Sequence, residues 1–377
     1  MSLVYYADAR ARRSTESLLE KLSRIIKGSE LPNIISAGDR VLIKCHMGAE
    51  LTTRYLRPVY VRRVVEEVRA LGGEPIIVET TGLSLLDPRG TAERYSKVAV
   101  SHGYTPEVLG APIIYADGEY GLDAFRAKVK GLKLGEICLA RALSEADVLI
   151  GLAHFKGHAL VGIGGAVKNI AIGLSSKEGK YLFHYEDKPK VDAELCNSCG
   201  ECLAVCPVDG ALSMVNGKPK IEPDICAGCL ACIATCKVKA VRAKRRSNPL
   251  ELQLMLADMA SAVMSTVGKE KVFFANFLLE VDWQCDCEHG DRGWSDLPMV
   301  PDIGITASID PVALDMASIE LVNGAPGIPG SKADEVGAMH PGTDKFKAIF
   351  PNINWKDTIT ACERLGIGRA TYQIVKV

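Results

Sequence analysis

The sequence predicts an α/β protein: a discontinuous, mostly parallel sheet domain at residues 1–187 and 247–377, with a small α+β module inserted at 188–246. Three observations predict it. Short apolar runs alternate with stretches of helical period through the first half, the pattern of a parallel sheet covered on both faces. The same alternation resumes after residue 247. Between the two lies a segment with neither pattern, and eight of the thirteen cysteines are in it.

The elements follow in order. Leu18, Leu19, Leu22, Ile25 and Ile26 make an apolar stripe over 14–28, and Gly28 suits a helix stop. Gly38-Asp39 turns into the buried strand V-L-I-K-C-H. Pro58 to Leu71 reads as a helix with Val61, Val64, Val65 and Val68 inside, ended by Gly72-Gly73. E-P-I-I-V-E-T-T is a strand, Thr91 to His102 a helix, A-P-I-I-Y-A-D-G a third strand. After the helix-like A-R-A-L-S-E-A comes the strand D-V-L-I-G-L-A-H-F. Beyond the module, Pro249 sits at the first turn of a long helix reaching Gly268. K-V-F-F-A-N-F-L-L-E-V and D-I-G-I-T-A-S are strands. Asp310-Pro311 caps a helix to about Asn323, Trp355 to Leu365 is the last helix, and T-Y-Q-I-V-K-V closes as a strand.

The inserted segment reads C-x-x-C-x-x-C-x-x-x-C twice: Cys196, Cys199, Cys202 and Cys206 with Pro207, then Cys226, Cys229, Cys232 and Cys236 with Lys237. Three thiolates at this spacing hold one corner of a 4Fe–4S cubane, and the fourth is carried too far along and serves the other cluster. The assignment is Cys196, Cys199, Cys202 and Cys236 for one cluster, and Cys226, Cys229, Cys232 and Cys206 for the second. Zinc would want two pairs of ligands. A disulfide framework would want an oxidising compartment, and the N-terminus M-S-L-V-Y-Y-A-D lacks a signal-peptide plan. The segment resembles a bacterial-type two-cluster ferredoxin. Ten Lys and Arg against six Asp and Glu between 188 and 246 offset the negative charge of such clusters.

Strand ends and the glycine-rich turns behind them are where open α/β sheets bind ligands. G-L-A-H-F-K-G-H-A-L-V-G-I-G-G-A-V-K-N, from Gly151, crowds His154, Lys156 and His158 onto one strand end. Gly164, Gly165, Lys168 and Asn169 follow. The start of the next helix would favour an anion, and Lys168 would pair with it. Lys44, His46 and Glu50 stand at a second strand end, and E-T-T-G from Glu79 at a third. The expectation is one crevice in which Lys156, His154, His158, Lys168 and His46 do the chemistry, while Lys44, Gly164, Gly165 and Asn169 hold a small anionic substrate. D-W-Q-C-D-C-E-H places Cys285, Cys287 and His289 two residues apart, on one face of an extended chain. This is a soft ligand set for an additional metal ion. Cys45, Cys138 and Cys362 read as core residues.

Composition is 47% hydrophobic and 24% charged with a net charge of −1, which argues against a nucleic-acid or membrane partner. No apolar run approaches bilayer length, and the chain reads as cytoplasmic. K-C-H-M-G-A-E, H-F-K-G-H-A-L-V-G-I-G-G-A-V-K-N, the F-A-N-F-L…C-D-C segment and S-I-D-P-V-A-L-D together resemble the uncharacterised iron–sulfur centre proteins, domain of unknown function 362 with an inserted ferredoxin. That resemblance implies two 4Fe–4S clusters and an anaerobic cytoplasmic setting. It also implies that Cys45, where the family shows valine, ligates nothing. The leading functional expectation is a redox protein whose clusters pass electrons to or from the crevice, possessing a redox partner protein or a small anionic substrate. One alternative is a ferredoxin-like carrier docked to a larger redox complex. The other is a metal-assisted non-redox enzyme with structural clusters.

Overall fold

The computed structural model describes residues 1–287 and 293–377. In chain order the strands are β1 (Ser2–Asp8), β2 (Arg40–Cys45), β3 (Glu74–Glu79), β4 (Ile113–Tyr115), β5 (Ala124–Lys128) and β6 (Glu136–Ala140). Next come β7 (Val148–His154), β8 (Lys156–His158) and β9 (Gly162–Gly164). The cysteine-rich segment supplies β10 (Lys190–Val191), β11 (Leu212–Val215), β12 (Lys218–Ile221) and β13 (Val241–Arg242). The last three are β14 (Val272–Leu278), β15 (Gly304–Ser308) and β16 (Tyr372–Lys376).

Eight of them form the main sheet in the order β16-β1-β15-β14-β7-β2-β3-β4. β15 alone runs antiparallel to its neighbours. All other adjacent pairs are parallel. The predicted fold class, α/β with a mostly parallel sheet, is the observed one. Its cause is visible in β2, which is buried on both faces from Val41 to Cys45. Leu42 enters one core, while Val41, Ile43 and Cys45 enter the other. Each buried aliphatic side chain contributes about 1.5–3 kcal/mol, so the strand is held from both sides. Cys45, Cys138 and Cys362 are all buried, as expected of core cysteines.

Four differences from the sequence expectations have physical reasons. β1 is a strand that its local sequence does not announce, because its partners are remote: Tyr5 faces Ala307 and Val375. The β5–β6 hairpin lies outside the main sheet and buries only part of its surface. Arg141–Glu145 is one 3₁₀ stretch, too short to be the helix its composition suggested. The helix Pro249–Val267 corrects the expectation that no apolar run approaches bilayer length: its 19 residues are long and apolar enough by composition. Here most of its length is buried inside the fold, against both the β5–β6 side and the helix Lys356–Arg364.

In the cysteine-rich segment β10 pairs with β13 and β11 with β12. Two short helices, Glu201–Ala204 and Ala231–Thr235, pack on each other. The two cysteine loops repeat one backbone. Ser198 (φ 61°) corresponds to Gly228 (φ 70°), and Gly200 (φ 78°) to Leu230 (φ 60°). Left-handed Ser and Leu are strained positions that persist only where the surroundings demand them.

Candidate functional site

β2, β3, β7 and β14 are parallel, so their C-terminal ends share one edge of the sheet. A cleft of about 370 Å³ opens there. Lys44 and His46 come from the end of β2, and Glu79 and Thr80 from β3. His154, Lys156 and His158 come from β7 and β8. Gly164, Gly165, Lys168 and Asn169 follow on the turn and the helix Ala166–Ala171. Cys285 and Cys287 come from the loop after β14. The structure thus gathers every expected crevice residue, and Glu50, into one cleft. His289 lies outside the described residues. The far wall is supplied by Leu230, Ile233 and Ala234 of the cysteine-rich segment.

Asp286, which no local motif singles out, is the hub beneath Lys156 and His154. It is 3% exposed. Lys156 forms an ion pair with it, and His154 Nδ1 lies 3.1 Å from its Oδ1. The other ring nitrogen of His154 is 2.8 Å from the Leu279 carbonyl, which fixes the ring. Burial pushes the Asp286 carboxyl up, but the Lys156 and His154 charges outweigh it and hold it well below the usual range. The signal that would have found it is a carboxylate between two cysteines, opposite a lysine and a histidine that need a counter-charge.

Two of the expected substrate-binding residues, Lys44 and Asn169, bind one another. Lys44, 1% exposed, pairs with Glu79 at 3.0 Å and donates to Asn169 Oδ1 at 3.0 Å. Asn169 Nδ2 donates to the Leu152 carbonyl at 3.1 Å. Gly173 leaves room for this arrangement, since a Cβ there would overlap the end of Lys44. The start of the helix Ala166–Ala171 is filled as well. The N–H groups of Ala166 and Val167 donate to the Asp315 carboxylate at 2.7 and 3.1 Å. The anion expected at that helix start is the protein's own Asp315, carried in by the helix Pro311–Gly324. Sequence alone did not reveal it because 149 residues separate Asp315 from Ala166.

The expected pairing of Lys168 with an anion has a different partner. Its Nζ donates to Cys285 Sγ at 3.3 Å and to Cys287 Sγ at 3.2 Å, and the two sulfurs are 2.7 Å apart. A hydrogen bond from Cys285 holds the Cys287 thiol below its usual range, with Lys168 and Arg89 adding to the effect against burial. Burial pushes Cys285 up, and its hydrogen bond with Cys287 does the same. His158 Nε2 lies 3.7 Å from Cys287 Sγ. One ligand atom from each of His158, Cys285 and Cys287 falls within 4.8 Å of the others, which makes a soft three-ligand set with His158 in the role expected of His289. His46 is held well below its usual range by burial and by Arg89, whose guanidinium is 3.1 Å from its Nε2. It lines the cleft wall.

The helix Lys177–His184 joins the cleft to the cysteine-rich segment. Lys180 donates to Thr80 Oγ1 at 2.6 Å, and Lys177 to Thr81 Oγ1 at 2.9 Å. Burial pulls Lys177 down to about 7. The loop after β3 continues the joint: the Leu85 N–H donates to the Cys229 carbonyl at 2.9 Å.

Fold and site together define an α/β sheet protein with a strand-end cleft walled partly by a cysteine-rich insertion. The family profile of the domain of unknown function DUF362 matches residues 41–320, and the chain belongs to that family. A thylakoid-associated protein of Synechocystis sp. is 29% identical over 180 residues, which are 45% of this chain and 50% of that protein. The chain thus spans about half the length of the curated relative it matches. Among solved structures, the lactate racemase apoprotein from Thermoanaerobacterium thermosaccharolyticum gives a TM-score of 0.40 at 11% identity, covering 100% of this chain and 83% of that one. A protein from Thermotoga maritima gives 0.38 at 9% identity, covering 93% and 59%.

Proposed function

We propose that this chain is an iron–sulfur redox protein, in which two 4Fe–4S clusters held by residues 188–246 exchange electrons with the strand-end cleft. The observation that carries the reading is the shared wall. Leu230, Ile233 and Ala234, which alternate with the second set of cysteines, line the same cleft as Lys156, Lys168, Cys285 and Cys287. A bare carrier has no need of a polar cleft behind its clusters.

The residues present fit the clusters. Cys206, Cys226, Cys229 and Cys232 line one small cavity, although Cys206 belongs to the other half of the repeat. This is the crossed set that the spacing suggested. Cys202 neighbours Cys196 and Cys199, and Cys236 packs into the same apolar cluster as Cys202. Backbone N–H groups of Ser198 and Ala240 donate to Cys196 Sγ and Cys236 Sγ at 3.4 and 3.2 Å, bonds of the kind that tune cluster potentials. When bound, the clusters supply one-electron transfer. The chain's own contribution is to seal them against the cleft. Tyr181 packs against Gly228, Lys188 donates to the Cys226 carbonyl, and the loop after β3 is tied to Cys229. We place the protein in a reducing compartment, with a redox partner protein or a small anionic molecule as its counterpart. Cluster ligation needs the eight repeat cysteines as thiolates, which a reducing compartment keeps available.

Iron and sulfide analysis of protein prepared without oxygen tests the reading. About eight of each per chain are expected, and Cys206→Ala should lose about four iron from the cluster shared with Cys226, Cys229 and Cys232. Zinc in place of iron would overturn the assignment. A Cys206→Ala variant that damages only the Cys196 cluster would overturn the crossed ligation.

A further inference from the structure

We infer that Cys285 and Cys287 form a dithiol–disulfide couple that serves as the two-electron station of the cleft. The inference deepens the proposed function and rests on it for the source of electrons alone.

Geometry carries the argument. The two sulfurs are 2.7 Å apart, whereas two thiolates on one zinc ion stand about 3.8 Å apart, from bonds of ~2.3 Å at a tetrahedral angle. The Lys168 ammonium donates to both sulfurs, so a cation already occupies the position that offsets their charge. Asp286 and Cys287 lie in a turn, which brings residues 285 and 287 toward the roughly 4.4–6.8 Å between Cα atoms that a disulfide spans. Cys285 is buried at 2% exposure and Cys287 is the more open of the two, the arrangement of a resolving and an attacking sulfur. Both line the same cleft as Leu230, Ile233 and Ala234 of the cysteine-rich segment. Neither packs as a core cysteine does, because the groups around them are Lys168, Lys156, Asp286, Arg89 and His158.

Reduction breaks the S–S bond. Two electrons enter and one proton is taken up, leaving Cys285 as the thiol and Cys287 as a thiolate paired with Lys168. The electrons come from a low-potential one-electron donor of the ferredoxin class, used twice per couple. Oxidation runs the same step backwards, releasing one proton and two electrons. A two-electron store of this kind matches one-electron donors to a substrate that accepts electron pairs.

Site-resolved alkylation mass spectrometry on the full chain tests this. Samples are poised with reduced and oxidised dithiothreitol, trapped, and digested. The peptide carrying both cysteines should lose both alkyl groups together on oxidation and regain both on reduction, with a tenfold change in ratio for each ~30 mV. Cys285→Ser should abolish the internal bond and leave Cys287 alkylated at every poise. Two thiols that stay alkylatable throughout would overturn the inference. So would a stoichiometric divalent metal that protects both sulfurs in the wild-type protein. Iron counts on the same samples separate the two ideas. A cycling pair in a protein that binds no clusters sinks the proposed function and leaves the couple standing, and intact clusters beside an inert pair do the reverse.

Discussion

At the scale of single residues, the cleft is a set of buried charges that answer one another. Lys156 and Asp286 are 5% and 3% exposed and form one pair. Removing one partner of such a pair leaves an unanswered charge in a medium that solvates it poorly. Lys156→Met should therefore cost about 3–5 kcal/mol of unfolding free energy, and the double variant with Asp286→Asn should recover much of that loss. Denaturant unfolding of the three proteins measures it; a single variant within about 0.5 kcal/mol of wild type would show that the pair does not hold the floor together. Asp315 gives a pH prediction. Burial pushes its carboxyl up to about 6, against the hydrogen bonds it accepts from Asn276, Val167 and Ala166. The folded chain thus binds this proton more tightly than the unfolded chain, whose carboxyl titrates near ~3.9. Its contribution is complete below about pH 4 and is lost as the pH rises through about 6. Asp315→Asn cannot titrate, so it should gain on wild type across that window, by up to about 3 kcal/mol. Parallel unfolding curves from pH 4 to 7 check this, and a constant difference between the two proteins would refute it.

At the scale of elements, the short helix Ala166–Ala171 is positioned from outside. Its first N–H groups are held by Asp315 of another helix, and Asn276 of β14 braces the same carboxylate at 2.8 Å. Gly165 allows that carboxylate to approach, because a Cβ at this position would overlap Asp315. Gly165→Ala should destabilise the protein by about 1–3 kcal/mol. It should also shift Lys168 away from the sulfurs, since Lys168 rides on this helix. The expected outcome is a lower Tm together with a changed alkylation rate at Cys287. A lower Tm with an unchanged rate would mean that the helix does not position Lys168.

At the scale of the whole molecule, the cysteine-rich segment leaves and rejoins the sheet domain at one place. Lys190 faces Arg242 and Val191 faces Val241 across a two-stranded ladder, and Tyr185 bridges Arg245. Strands so paired can be closed by a two-residue turn. Replacing residues 192–240 with Asn-Gly should therefore give a folded, cooperative α/β protein lacking one wall of its cleft. Circular dichroism with thermal unfolding tests it. An aggregated or non-cooperative product would show that the insertion is part of the main core. Among the described residues, Leu85 meets the segment in a small apolar cluster with Cys229, Ala231 and Val205, separate from the two large cores.

The strands of the parallel sheet were legible because burial on both faces leaves a near-continuous apolar run, and the cap at Asp310 because a side chain answers its own helix start two or three residues away. The cleft's cast was legible too, since parallel strands bring their ends to one edge. The paired cysteine repeat suggests a crossed grouping, and the fold sets Cys206 beside Cys226, Cys229 and Cys232 around one small cavity; whether they share a cluster is the proposal that iron analysis tests. Tertiary structure alone decided the partnerships. Lys168 turned to the sulfurs, Lys44 to Glu79, Lys156 to Asp286, and the helix start at Ala166 to Asp315. These contacts join residues tens to more than a hundred positions apart. Local periodicity records which face a side chain takes, but a buried charge selects its counter-charge only after packing has brought the candidates within reach.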